Sequence, residues 1–338
     1  MTRLKIFALI ICAVVLLMTG CIKENHGTQE LLNASCEPTR DFYSAYNEIF
    51  KRHWEKELDN GEVIITQSHG ASRKQALAVI DGAINADVVT LSISYDVTII
   101  RNAGLIRGGW RREFPGNSSP YTSTIVFLVR KGNPKNIHDW DDLVREDIKV
   151  VTANPKTSGG GRWNYLSAWE FARRKFGENE ERIKDFMRKI FVNVVSLDEE
   201  VRSAKESFIS GKGDVLIAWE NEALHLKDES PEFYDIVTPS LSILAEMSVA
   251  VVDKNVEEKG NRELAEEYLR YLYSPEAQEL AAQNFYRPRD RAILKKYSAV
   301  FKPLQLFTID EVFGGWVKAT NEHFADGAIF DQISKKVD

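Results

Sequence analysis

Ile148-Lys149-Val150-Val151-Thr152-Ala153-Asn154-Pro155-Lys156-Thr157-Ser158-Gly159-Gly160-Gly161-Arg162-Trp163 is the stretch that decides the architecture. Ile148 to Thr152 is a β-branched run of strand length, and from about Gly161 to Phe176 apolar residues recur at helical spacing. A strand that feeds a helix through a short loop is the unit of a mainly parallel sheet covered on both faces. Downstream the pattern continues with strands at Val192 to Ser196 and Asp214 to Ala218, and helices at Asn179 to Ile190 and Glu199 to Ile209. Upstream it begins at Glu30 to Ser35, where Thr39 is placed to cap a helix carrying Phe42, Tyr46, Ile49, Phe50 and Trp54 on one face. Val63 to Ile65 is the next strand. The loop Ser68-His69-Gly70-Ala71 follows, Ser72 and Gln75 form a capping box for a helix through Ala83, and Asp87 to Leu91 is a third strand.

A chain of 338 residues is too long for one small core, so two lobes are expected. The lobe changes after Pro115-Gly116-Asn117-Ser118-Ser119-Pro120, where the apolar run Thr124 to Val129 starts, and Met247 to Val252 reads as a return strand. Amphipathic helices follow at Arg262 to Tyr273 and Pro275 to Asn284, and Trp316 and Phe324 fall on a further helix in the tail. The expected division is residues 1–20 a signal peptide, 21–30 a tether, 31–122 the first segment of lobe I and 123–243 lobe II. Residues 244–300 return to lobe I, and 301–338 form a C-terminal helical segment.

At the amino terminus Arg3 and Lys5 precede an apolar run from Ile6 to Met18, too short for a comfortable membrane span. Thr19-Gly20-Cys21 then reads as a lipoprotein processing site, with Cys21 lipidated and the protein exported and held at a membrane by that anchor. An ordinary secretory signal would leave the export unchanged. Cys12 lies in the signal, so Cys36 is the one cysteine of the folded part and no internal disulfide framework is available. Net charge is −6, without a polybasic arm, which argues against nucleic acid as a partner. An anion site here needs local attraction.

The glycine loop supplies it. Successive glycines at a helix start leave backbone N–H groups unobstructed where the helix dipole is positive, and Ser158 adds a hydroxyl donor. A flexible strand-to-helix turn would read the same way. The loop is not a nucleotide-binding P-loop, because Lys156 precedes the glycines. Ser68-His69-Gly70-Ala71-Ser72 is a second such loop, ending in a helix cap, although capping its own helix is the commoner fate of a serine such as Ser72. His69 has neither a nucleophile elbow nor a metal-spaced partner, and reads as a local hydrogen-bonding residue. Trp219 follows a buried strand. Core packing is its ordinary role, yet an indole can only donate, which suits a fully ionised acceptor.

Glu37-Pro38-Thr39-Arg40, Gln67-Ser68-His69-Gly70, Pro120-Tyr121-Thr122-Ser123-Thr124 and Val129-Arg130-Lys131-Gly132-Asn133-Pro134-Lys135 carry a resemblance, as do Ser158-Gly159-Gly160 and Arg162-Trp163-Asn164-Tyr165-Leu166. So do Ala218-Trp219-Glu220-Asn221-Glu222, Asn284-Phe285-Tyr286-Arg287-Pro288-Arg289-Asp290 and the run Leu306 to Trp316. Over essentially the whole mature region the chain resembles the periplasmic sulfate-binding proteins of sulfate/thiosulfate ABC importers. The resemblance implies an α/β, two-lobed periplasmic binding protein fold of type II, with the ligand in the interlobe cleft and no cofactor. It implies a monomer that carries sulfate to an ABC permease and is no enzyme. Backbone donors are implied at Glu37, Ser72, Gly159, Gly160 and Val201, with the Ser158 hydroxyl and the Trp219 indole, and no cationic side chain on the anion. Glu37 stands where the family has an aspartate, and Asp198-Glu199-Glu200-Val201-Arg202-Ser203 lacks the usual glycine and alanine. Thiosulfate, phosphate, molybdate or another tetrahedral oxyanion, a sulfate-sensing lipoprotein, and a hydrolase using Ser68 and His69 are the competing readings.

Overall fold

The structure, a computed structural model, describes residues 27–334. The expected signal peptide, Cys21 and all but the end of the expected tether lie outside the described residues, as do residues 335–338. The chain first lays down β1 (Gln29–Cys36), β2 (Val63–Gly70) and β3 (Val88–Leu91). It crosses through β4 (Tyr121–Ser123) into β5 (Ile125–Arg130), β6 (Val150–Ala153), β7 (Val194–Asp198), β8 (Val215–Trp219) and β9 (Tyr234–Val237). It returns through β10 (Ser242–Ile243) and β11 (Ala245–Glu246) to β12 (Ser248–Val251), and β13 (Arg287–Pro288) and β14 (Leu306–Phe307) come last.

These strands make two principal sheets. The first has the order β12-β3-β1-β2, with β1 parallel to both neighbours and the returning β12 antiparallel to β3. The second runs β7-β6-β8-β5-β9, parallel at β7-β6-β8 and antiparallel where β5 meets β8 and β9. Helices follow β1, β2, β6 and β7, so the parallel parts arise from strand-to-helix units and the antiparallel strands sit where the chain enters or returns. The outgoing β4 and the returning β11 pair side by side, Ser123 opposite Ala245, so both crossings run through one small sheet.

The aromatic face expected on the helix Arg40–Arg52 is the buried one: Phe42, Tyr43, Tyr46 and Phe50 are all within 1 % of full burial. At roughly 1.5–3 kcal/mol for each large side chain removed from water, this face fixes the helix against the first sheet. Trp54 continues it in the short π-turn His53–Glu57.

Three local expectations are corrected. Ser68, His69 and Gly70 belong to β2, because β1 runs alongside in parallel register to the end, Cys36 opposite Gly70, and satisfies their backbone groups. The helix after β2 spans Ser72–Ile80 with Ala71 at its N-cap and no side-chain cap, and the chain turns at Gly82 in the left-handed region (φ 75°), short of Ala83. Thr39 caps nothing either: its hydroxyl donates to Cys36 O at 2.8 Å, inside the short 3-10 turn Glu37–Thr39. Among the described residues no helix is long and apolar enough to cross a membrane.

Candidate functional site

The carboxyl ends of β1 and β2 in one lobe face those of β6, β7 and β8 in the other, and each leads, directly or through a short loop, into a helix start. Glu37 opens the 3-10 turn after β1, Ser72 the helix after β2, Gly159 the helix Gly159–Phe176 after β6, and Val201 the helix Val201–Ile209 after β7. Amides in a first helical turn have no acceptor within their own helix. Glu37, Ser72, Gly159, Gly160 and Val201, all in such turns, line one small cavity of about 20 Å³ together with Ser158. Helix dipoles converge there from both lobes.

The glycines are required by close approach. A Cβ on Gly160 would lie 2.3 Å from Val201 Cγ2, 3.1 Å from Trp219 Nε1 and 3.4 Å from Ser158 Oγ. The same measure places Trp219 beside the cavity at the end of β8. Its ring is fully buried, and its Nε1–H has no hydrogen-bond partner among the described residues. An unmatched buried donor costs about 1–3 kcal/mol, so it marks the place of an acceptor. Ser158 accepts the N–H of Gly161 at 3.2 Å, which leaves its own hydroxyl proton to donate. All seven residues singled out from the sequence therefore gather at one place.

Ser72 contributes differently from a cap. Its hydroxyl donates to Asp96 Oδ2 at 2.6 Å and accepts the N–H of Ser92 at 3.1 Å, so only its amide is left for the cavity. Asp96 is buried behind it. Burial pushes its carboxyl pKa up, against the pull of the Ser72 hydroxyl and of Arg162 and Arg73. Glu37 is likewise committed: Arg40 donates Nε at 3.0 Å and Nη2 at 2.9 Å, and Arg202 donates Nη1 at 3.2 Å from the other lobe. Burial raises the Glu37 pKa, but the two guanidiniums outweigh it and hold the carboxyl below its usual range. His69, beside Glu37 and Arg40, is pushed down by burial and by Arg40, and its Nδ1 has no partner among the described residues. The expected local hydrogen-bonding role is filled by a bond to the Cys36 backbone rather than at Nδ1.

Among the described residues no lysine, arginine or histidine lines the cavity, whereas Glu37 and Glu200 do. Arg40, Arg202 and Lys205 stand in a groove alongside, interleaved with Glu37, Asp41, Glu206 and Glu222. The lobes meet over the cavity: Trp163 Nε1 donates to Ser92 O at 3.0 Å, and Lys74 approaches Glu200 to 3.6 Å. Among the described residues no group of three or more His, Cys, Asp or Glu is placed to hold a metal ion. Sequence reasoning missed Ser92 and Asp96, whose partners lie 20 and 24 residues away across the fold.

The family model "Bacterial extracellular solute-binding protein" matches residues 34–287. The chain belongs to this family. Over 309 residues this solute-binding protein is 56% identical to the sulfate-binding protein of Escherichia coli (strain K12), covering 91% of the present chain and 93% of that one. Over 311 residues it is 45% identical to the thiosulfate-binding protein of Pseudomonas aeruginosa, again covering 91% and 93%. Among solved structures, the sulfate-binding protein SubI from Mycobacterium tuberculosis H37Rv superposes with a TM-score of 0.77 at 30% identity, covering 88% of this chain and 99% of that chain. The fold is the two-lobed α/β architecture of type II periplasmic binding proteins.

Proposed function

We propose that this solute-binding protein captures sulfate outside the cytoplasm and delivers it to an ABC importer. The observation that carries the reading is the buried, unpartnered Trp219 Nε1–H beside a cavity rimmed by first-turn amides from both lobes. Sulfate at neutral pH is fully ionised and offers only acceptors. The neutral donors of the cavity match all of them; the two glutamates in its lining are engaged by cations, Glu37 by Arg40 and Arg202 and Glu200 by Lys74, so a ligand hydroxyl would meet no uncommitted acceptor among the described residues and lose about 1–3 kcal/mol. Protonated phosphate carries such a hydroxyl, with a second pKa of about 6. The names of the relatives at 56% and 45% identity support sulfate first and thiosulfate as its nearest competitor.

The ligand set of this reading is the amides of Glu37, Ser72, Gly159, Gly160 and Val201, the Ser158 hydroxyl and the Trp219 indole. The protein works as a monomer, exported and held at the membrane through a lipid on Cys21, and docks on its permease with the lobes closed. It performs no chemistry on the anion: Ser68 donates to Gln75 Oε1 at 3.1 Å, so its hydroxyl is committed away from His69. The test is calorimetric titration of dialysed protein with sulfate, repeated in competition with thiosulfate, phosphate and molybdate. One sulfate per chain, displaced by thiosulfate more readily than by phosphate or molybdate, is expected; tighter binding of phosphate or molybdate would reject the reading.

A further inference from the structure

Glu37 is the one donor of the set that opens a three-residue 3-10 turn, where Pro38 has no N–H and backbone bonds have poorer geometry than in an α-helix. The carbonyls behind the other first-turn amides are backed by α-helical amides: Ala71 O accepts Gln75 N at 3.0 Å, Ser158 O accepts Arg162 N at 3.1 Å, and Glu200 O accepts Ala204 N at 3.1 Å. Behind Glu37 the corresponding carbonyl is Cys36 O, reached at 2.8 Å by the Thr39 hydroxyl and at 3.5 Å by that of Ser35, and His69 also hydrogen-bonds the Cys36 backbone.

That hydroxyl ends a line of others. Thr90 Oγ1 lies 2.8 Å from Ser35 Oγ and 3.0 Å from Asn33 Oδ1, both in reach of its one proton, Ser35 and Thr39 hydroxyl oxygens are 2.6 Å apart, and Thr39 donates onward to Cys36 O. With the Thr90 proton on Ser35, the nearer of its two acceptors, each oxygen accepts from the one before and donates to the next. Thr90, Ser35 and Thr39 are all at most 2 % exposed, so water does not substitute for any link. Ser35 and Thr90 face each other because β1 and β3 pair in parallel at that register. The line ends on the peptide unit whose N–H belongs to Glu37. Hydrogen bonds in series polarise one another in a low-dielectric interior, so a donor at Cys36 O both orients that unit and strengthens its N–H as a donor. The return segment holds the same turn from outside, with Tyr286 donating to Pro38 O at 2.6 Å.

We propose that Thr39 is a positioning residue of the anion site: through the Thr90-Ser35-Thr39 line it aims and polarises the Cys36–Glu37 peptide unit toward the ligand. This rests on the sulfate reading above. It accounts for a threonine that neither caps its helix nor itself lines the cavity.

The experiment compares wild type, Thr39→Val, Thr39→Ser and Ser35→Ala by sulfate calorimetry, with melting of the ligand-free proteins alongside. Thr39→Val keeps the shape and removes the hydroxyl; its sulfate Kd is expected to rise about tenfold, the scale of one hydrogen bond to a charged group. Thr39→Ser restores the donor and is expected to return Kd to within about threefold of wild type, although it loses a buried methyl and melts lower. Ser35→Ala, which shortens the line but leaves the last link, is expected to fall between. Affinity that follows melting temperature across the set, with Thr39→Ser as weak as Thr39→Val, would overturn the inference, as would wild-type affinity in Thr39→Val. Wild-type protein that binds no sulfate would instead overturn the functional reading itself.

Discussion

Adding one methyl at Gly160 is the sharpest perturbation the cavity allows. The new Cβ would sit 3.1 Å from Trp219 Nε1 and 3.4 Å from Ser158 Oγ, in the space between the indole and hydroxyl donors where an anion bonded to both must lie. An anion pushed away from those two donors loses two hydrogen bonds to a charged group, about 1.5–3 kcal/mol each. Together they make about 3–6 kcal/mol, or two to four orders of magnitude in Kd at about 1.4 kcal/mol per tenfold. Folding should change far less. Gly160 has no left-handed backbone requirement, alanine is the better helix former by up to about 1 kcal/mol, and the 2.3 Å approach to Val201 Cγ2 costs about 1–3 kcal/mol of local repacking. Gly160→Ala is therefore expected to give a soluble protein whose ligand-free melting temperature moves by a few degrees. Its sulfate heat should vanish in a titration that resolves wild-type binding. A folded Gly160→Ala with sulfate affinity within about threefold of wild type would refute the placement of the anion between Gly160, Ser158 and Trp219.

Ser158→Ala removes a single donor while keeping the glycines, and should weaken sulfate by about 1.5–3 kcal/mol in the same titration. Trp219→Phe should abolish most of the change in intrinsic fluorescence on adding sulfate; an undiminished signal would assign it to the other tryptophans. Glu37→Gln should not create phosphate binding, because the carboxylate is already taken up by Arg40 and Arg202; appearance of phosphate heat in the variant would contradict this. His323, buried among Tyr165, Trp169, Phe313 and Phe324, is pushed down by burial to a pKa of about 4, against a weaker upward pull from Glu180. Its depressed folded value makes the unfolded chain take the proton first, so this stability is whole above about pH 6.5 and is lost as pH falls toward 4. The loss is on the order of 3 kcal/mol, and urea titrations of His323→Phe should show a flatter stability profile over that window.

Much of this was legible in the chain because apolar spacing and glycine loops are local signals. The aromatic face from Phe42 to Trp54 and the run from Ile148 to Trp163 needed no partner to be read. What escaped depended on contacts distant in sequence. β2 extends through His69 because β1 lies beside it, which no pattern within residues 63–70 announces. Ser72 looked like a cap by its spacing to Gln75, yet Ala71 holds the N-cap position and the Ser72 hydroxyl donates to Asp96 and accepts the N–H of Ser92 instead of one from its own helix. Thr39 deceived in the same way: it holds the N-cap position, but its hydroxyl donates to Cys36 O and makes no capping bond. Trp219 illustrates the limit most clearly: sequence gives a tryptophan after a buried strand, and only the structure shows its N–H without an acceptor.

The most direct test of the account is calorimetry of the exhaustively dialysed protein with sulfate and with phosphate at about pH 6 and about pH 8, a span over which phosphate changes its protonation and sulfate does not. The account predicts one sulfate bound per chain with nearly the same affinity at both pH values, and phosphate far weaker at each. Phosphate binding tighter than sulfate, or no saturable sulfate heat at either pH, would contradict it.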